Sequence, residues 1–237
     1  MAKGPCRPLK VTVKVRDGRI VSSDGIIMFD SIIYHAWFAK YAPHVLRGEG
    51  NENWSGMIGL PFRSLSGNRW AASKGIYKEI SKTVEHYNRR PDFFAADKIG
   101  HLAENSGKIS DSMGKYRAYR NPVIVRTLEN GEMTFYCVGH AEKIKELIAC
   151  IPAVGKKPSM GWGIIEDVEI EHIEQDYSLW HPEYGLMRPL PVDDEAAAGL
   201  DLAGYPVMYY GIKPPYWKAK NQVPCFVPVP EMNGVIR

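Results

Sequence analysis

Two unlike periodicities meet between Asn121 and Ile151, and they restrict the fold more than anything else in the chain. In "NPVIVRTLENGEMTFYCVGH" two strand patterns flank Asn130-Gly131, the residue pair best suited to a two-residue hairpin turn. In "AEKIKELIACI" the residues Ile144, Leu147, Ile148 and Ile151 fall on one helical face, with Glu142, Lys143, Lys145 and Glu146 elsewhere. That spacing predicts a short amphipathic helix. A further strand pattern, "GIIEDVEIEHIE", follows. The N-terminal part repeats the theme. "PLKVTVKVR" alternates Leu9, Val11, Val13 and Val15 with Lys10, Lys14 and Arg16, as a half-exposed strand does. Beyond turn chemistry at "RDGR" and "SSDG", Phe29, Ile32, Ile33, Ala36, Trp37 and Tyr41 recur at helical spacing. Asp30 is a suitable N-cap and Pro43 ends the run, which predicts a helix over Ser31–Ala42. Strand–helix–strand, then strand–hairpin–helix–strand, makes two βαβ-like halves. The expected class is α+β, a ferredoxin-like antiparallel sheet with two helices.

The middle is less regular. Short strands are expected around Met57–Phe62 and Arg69–Ser73, and "YKEISKTVEHYNRR" suits a strand or a helix. "AADKIGHLAENSGKISDSMGKYRAYRNP" is polar and rich in Gly and Ser, which predicts a long loop or insertion. In the tail, "GIKPPYWKAKNQVPCFVPVPE" is dense in proline and favours extended segments packed on a surface. Nothing marks a linker. We expect one elaborated domain over 1–237, with a core at about 8–175, a basic insertion at about 74–120 and an extended C-terminal segment at about 176–237.

Composition excludes several classes. No apolar run nears the roughly 20 residues of a membrane span, and "MAKGPCRPLK" lacks the apolar core of a secretory signal. A cytoplasmic protein with no membrane partner is expected. Cys6, Cys137, Cys150 and Cys225 are too far apart for a zinc knuckle. They read as reduced thiols, with Cys137 and Cys150 in the core. The seven histidines make no HxH, HxxxH or HExxH spacing, so no metal is expected. Phosphate-loop and dinucleotide fingerprints are missing, so no cofactor is expected. The net charge of +3 conceals segregation. From Arg63 to Arg126 thirteen cations face six acids, and from Ile164 to Asp201 eleven acids face Arg188 alone. A basic region of this kind can follow a phosphate backbone, or it is a solvated face.

"AVGKKPSMGWG" lies between the predicted short helix and the last strand. It sets Gly155, Gly161 and Gly163 beside Lys156, Lys157 and Ser159, with Trp162 between two glycines. Either the glycines make a tight turn, or the loop lies against something anionic. Trp162 is either a base-stacking platform or a core indole. The loop, together with "YRNPVIV", "FYCVGH", "VGKKPSMGWG", "DYSLWHPEYGLMRPLPV" and "PPYW" in that order, resembles the CRISPR RAMP superfamily. Within it, the chain resembles the small, Cas-five-like backbone subunit of type IV effectors. The first 118 residues resemble it only through "DGIIMFDSII".

The resemblance implies a non-catalytic subunit that binds the 5′ handle of a crRNA. It implies an end-capping place in an array of backbone subunits, beside a large subunit, and near the target double-stranded DNA that carries the PAM. Gly155, Lys156, Lys157, Ser159, Gly161, Trp162 and Gly163 become the expected RNA contacts. Arg69, Lys74, Lys108, Lys115, Tyr116, Arg117, Tyr119 and Arg120 are the further candidates for RNA or DNA. No catalytic residue is assigned. The alternative is a metal-independent CRISPR RNA-processing endoribonuclease, for which Tyr116, Tyr119 and His140 are candidates without a tight cluster. In "DYSLWHPEYGLMRPLPV" Trp180 and Leu186 are expected to pack, and Arg188 to be ion-paired.

Overall fold

The computed structural model describes residues 5–47, 58–98, 112 and 117–229. β1 spans Arg7–Val15, burying Leu9, Val11, Val13 and Val15 as the alternation requires. A turn leads into β2, Arg19–Val21. α1 spans Phe29–Tyr41, and one further turn, α2, spans Pro43–Leu46. α1 starts earlier than its spacing predicts, with Met28 in the cap position and no side-chain cap. Asp30 is fully buried instead. Tyr216 Oη donates to its Oδ1 at 2.8 Å, and Arg188 Nη2 lies 3.7 Å from Oδ2. Those two partners outweigh the cap bonds that a surface aspartate would make.

β3, Ser64–Leu65, pairs with β4, Arg69–Trp70. Of the expected strands, Met57–Phe62 (Met57 lies outside the described residues) keeps only the bridge from Phe62 to Gly139, and beyond β4 Arg69–Ser73 keeps only that from Ala72 to Cys137. β5, Glu79–Arg89, is a strand and not a helix, and α3 follows at Phe93–Lys98. β6, Tyr119–Leu128, pairs with β5 from Arg89–Tyr119 back to Glu79–Leu128. The expected loop 95–122 therefore begins inside α3 and ends in β6, and β5 with β6 makes an antiparallel ribbon, which we call the arm; Lys108, Lys115 and Tyr116 lie outside the described residues.

β7, Glu132–Gly139, does not form the expected hairpin with β6. It pairs with β1, whereas β6 pairs with β2 and β5. Asn130 and Gly131 do take φ of 55° and 70°, but the turn passes between two sheets. Its packing explains this. A Cβ on Gly131 would lie 2.7 Å from the Val15 carbonyl oxygen, and Leu128 N donates to Gly18 O at 2.8 Å. The turn is wedged under the β1–β2 connection, which separates the strands.

α4, Ala141–Ile148, buries Ile144, Leu147 and Ile148 as predicted. β8, Ile165–His172, completes an antiparallel sheet in the order β7-β1-β8. The core lies between this sheet and the two helices α1 and α4, with Phe29 stacked on Phe135 at 4.8 Å. β9, Trp180–His181, pairs with β10, Gly185–Leu186. β11, Leu190–Pro191, β12, Val207–Gly211, and β13, Gln222–Phe226, form a last sheet in the order β11-β13-β12. Leu186 is fully buried, and the Trp180 ring contacts Tyr205. Arg188 ties this segment to the core, donating to Ile212 O at 2.9 Å and facing Asp30. Cys137 is buried as expected, but Cys150 is exposed beyond the end of α4. The whole is a mixed α/β fold of antiparallel sheets with few helices.

Candidate nucleic-acid interface

The glycine loop is closed at its base by a bridge between Ala153 and Ile164. It leans on β2. Gly163 N donates to Arg19 O at 2.7 Å, and Lys156 N to Val21 O at 3.3 Å. Close approach requires glycine at one position, Gly163, and positive φ favours it at a second, Gly155. At Gly163, with φ of +73°, a Cβ would come 1.9 Å from Val154 O; at Gly155, with φ of +84°, it would come 3.2 Å from Val21 O. The glycines therefore serve the turn, and these amide donors are spent inside the protein. Gly161, with φ of +86°, has open space around it. Lys157 holds φ of 61°, which costs a non-glycine residue about 1–2 kcal/mol.

Of the two readings of Trp162, the core indole describes its placement. It is 3% exposed and packs against Val21 and Val125. A ring enclosed in this way offers no face to a base, so the expected stacking is corrected here. Two further candidates are also internal. Arg69 is 4% exposed and ion-paired with Asp194, and Lys74, 3% exposed, donates Nζ to Val229 O at 2.9 Å. Both cations are consumed by the fold, and part of the basic middle neutralises the acidic C-terminal third.

What the loop does present is Lys156, Ser159 and Gly161, all exposed, and a half-buried Lys157. Lys157 Nζ sits 3.7 Å from the centre of the Tyr87 ring on β5. The Tyr87 and Tyr119 rings are 6.1 Å apart, and the Arg89 guanidinium lies 5.9 Å from the Tyr119 ring. Register explains the row. Tyr87 opposes Asn121 and Arg89 opposes Tyr119, and directly opposed residues share a face with their period-two neighbours. A cation–aromatic–aromatic–cation row thus runs from the loop along one face of the arm. Arg120 and Lys82 are exposed on the other face, and Arg117 is exposed just before β6.

Tyr87 and Arg89 are not among the residues that the sequence motifs point to. Their signal was the alternation of "EHYNR", which has meaning only once the segment is known to be a strand. His140 sits at the N-cap of α4, with Nε2 3.4 Å from Cys6 Sγ. Among the described residues no cluster of three or more His, Cys, Asp or Glu is arranged to hold a metal ion. No helix among them is long and apolar enough to cross a membrane.

The family model for CRISPR type IV associated protein Csf3 matches residues 7–228. A chain from the crystal structure of the Csm3-Csm4 subcomplex in the type III-A CRISPR-Cas interference complex aligns at 12% identity and TM-score 0.41, covering 93% of this chain and 90% of that one. No curated protein matches the chain.

Proposed function

The chain belongs to the family of CRISPR type IV associated protein Csf3, and from that premise we propose that it is a non-catalytic, RNA-binding subunit of a CRISPR ribonucleoprotein. It grips the 5′ handle of the crRNA, caps one end of the backbone array and touches the target duplex near the PAM. It does so in the cytoplasm, among neighbouring backbone and large subunits. In this reading β1, α1, β7, α4 and β8 are a ferredoxin-like core, and the arm is its insertion.

The observation that carries the reading is the row Lys157–Tyr87–Tyr119–Arg89 beside the exposed Lys156. Aromatic faces stack on unpaired bases whatever their sequence, and interleaved cations follow the phosphates. Arg89 is exposed and the other three are half-buried, and four such groups in line suit a strand better than a small molecule.

The test is a titration of labelled single-stranded handle RNA at several salt concentrations, with the wild-type chain and with Lys156→Ala plus Lys157→Ala. Each lost phosphate contact lowers the log–log salt slope by about 0.7. A weaker and flatter response supports the reading. Equal affinity and slope remove the loop from the interface.

A further inference from the structure

The two loop lysines go to different places. Lys157 lies on the arm, whereas Lys156 lines a cleft of about 750 Å³ between α1, the loop and the C-terminal sheet. That volume is inside the range of roughly 300–1,000 Å³ that ligand clefts span. Its apolar wall is formed by Ile27, Ile32 and Val154. Lys156 and Lys218 bring positive charge, and Tyr209 and Trp217 bring rings.

Those rings are the most exposed aromatic side chains among the described residues, Tyr209 at 72% and Trp217 at 77%. Each sits next in sequence to a half-buried tyrosine that anchors it. Tyr210 Oη donates to Asp24 Oδ2 at 2.7 Å, and Tyr216 Oη donates to Asp30 Oδ1 at 2.8 Å. The turn that carries Trp217 is braced. Lys218 N donates to Pro215 O at 3.1 Å, and the buried Asn221 donates Nδ2 to the same oxygen at 3.0 Å. β12 runs close beneath it, since a Cβ on Gly211 would come 2.3 Å from Tyr216 O. The fold thus holds two rings in water on a backbone already ordered, so little entropy is left to lose on binding. Lys218 Nζ lies 5.8 Å from the Trp217 ring.

One exposed carboxylate, Asp24, also lines the cleft. Asp24 already accepts from Ser22 Oγ, Ile26 N and Tyr210 Oη. His35, on the α1 wall, is exposed, and partial desolvation lowers its pKa. Lys156 and Lys218 against this one carboxylate leave the lining net positive.

We propose that this cleft takes one unpaired nucleotide of the bound RNA, with its base on Trp217 or Tyr209 and a flanking phosphate on Lys156 and Lys218. The proposal rests on the RNA-binding reading and adds to it a second contact surface, so that the RNA turns around the glycine loop between arm and cleft. The contact is tolerant of base identity, because every base has a face to stack.

Fluorescence anisotropy of a fluorescein-labelled single-stranded RNA tests it, with full-length wild type, Trp217→Ala, Trp217→Phe and Lys218→Ala. Trp217 is exposed, so its removal leaves the core intact. Trp217→Ala is expected to weaken binding about tenfold, in keeping with the loss of one stacked base. Trp217→Phe is expected to restore most of it, and Lys218→Ala to flatten the salt dependence. Wild type that fails to bind the RNA overturns the RNA-binding reading and this inference with it. Wild-type binding that Trp217→Ala and Lys218→Ala leave unchanged overturns the cleft alone. Normal RNA affinity with lost assembly onto the neighbouring subunits also overturns it, by making the cleft a protein interface.

Discussion

Asp30 and Arg188 are both fully buried, and taking two charges out of water is expensive. Burial is the largest influence on Asp30 and raises its pKa from 3.8 to about 6; the guanidinium of Arg188 and the Tyr216 hydroxyl pull the other way. The folded protein therefore binds this proton more tightly than the unfolded chain. The group's contribution to stability is full below 3.8 and is lost as pH rises through about 6. Denaturant titrations across that window should show wild-type stability falling relative to Asp30→Asn, which cannot titrate; a parallel pH dependence of the two would contradict this. Arg188→Met removes the counter-charge along with the bonds to Ala72 O and Ile212 O. At neutral pH it should destabilise by about 3–5 kcal/mol, the usual effect of breaking a buried pair. The loss should be smaller in acid, where Asp30 can be neutral.

At the scale of elements, the glycine loop makes unequal predictions for look-alike residues. Gly161→Ala has space and should cost only the positive-φ penalty of about 1 kcal/mol. Gly163→Ala meets both that penalty and the Val154 carbonyl, and should cost clearly more in thermal or chemical unfolding. Trp162→Ala should destabilise by about 3–5 kcal/mol, as large core aromatics do. Equal stability of the two alanine variants would contradict the packing described. Elements with one dominant period were legible in the sequence. β1, α4 and β8 needed only the spacing of Leu9 to Val15, of Ile144 to Ile148, and the β-branched run around Val168. Contacts across the fold were not legible. Asn130-Gly131 has ideal hairpin chemistry, yet the close approach of Gly18 and Val15 decides which strands pair. Asp30 looks like a cap because its partners, Arg188 and Tyr216, come from far along the chain. Of the candidate site, Lys156, Lys157 and Tyr119 were found. Tyr87, Arg89 and Trp217 were missed, because exposure and shared faces are properties of the folded chain. Arg69, Lys74 and Trp162 were selected by residue type, and the fold uses them internally.

For the whole molecule, the separation of charge becomes a division of labour. Arg63 pairs with Asp176 and Arg69 with Asp194, which joins the basic middle to the acidic third. Arg117 and Arg120 stand exposed at the start of β6. Arg117→Ala with Arg120→Ala should reduce target-DNA binding by the assembled complex and leave guide-RNA loading intact. The loss should be similar for every flanking sequence, because phosphate contacts carry no sequence information. Collapse of RNA loading would place these residues on the handle instead. In the proposed function the glycine loop and the arm together hold the handle RNA. Photo-crosslinking of a 4-thiouridine-substituted handle RNA in the assembled complex, with the attached peptides then mapped, tests this most directly. Crosslinks are expected on the loop around Lys156 and Lys157 and on the arm at Tyr87 and Tyr119. Crosslinks confined to other subunits, or to the acidic strand β8, would contradict it.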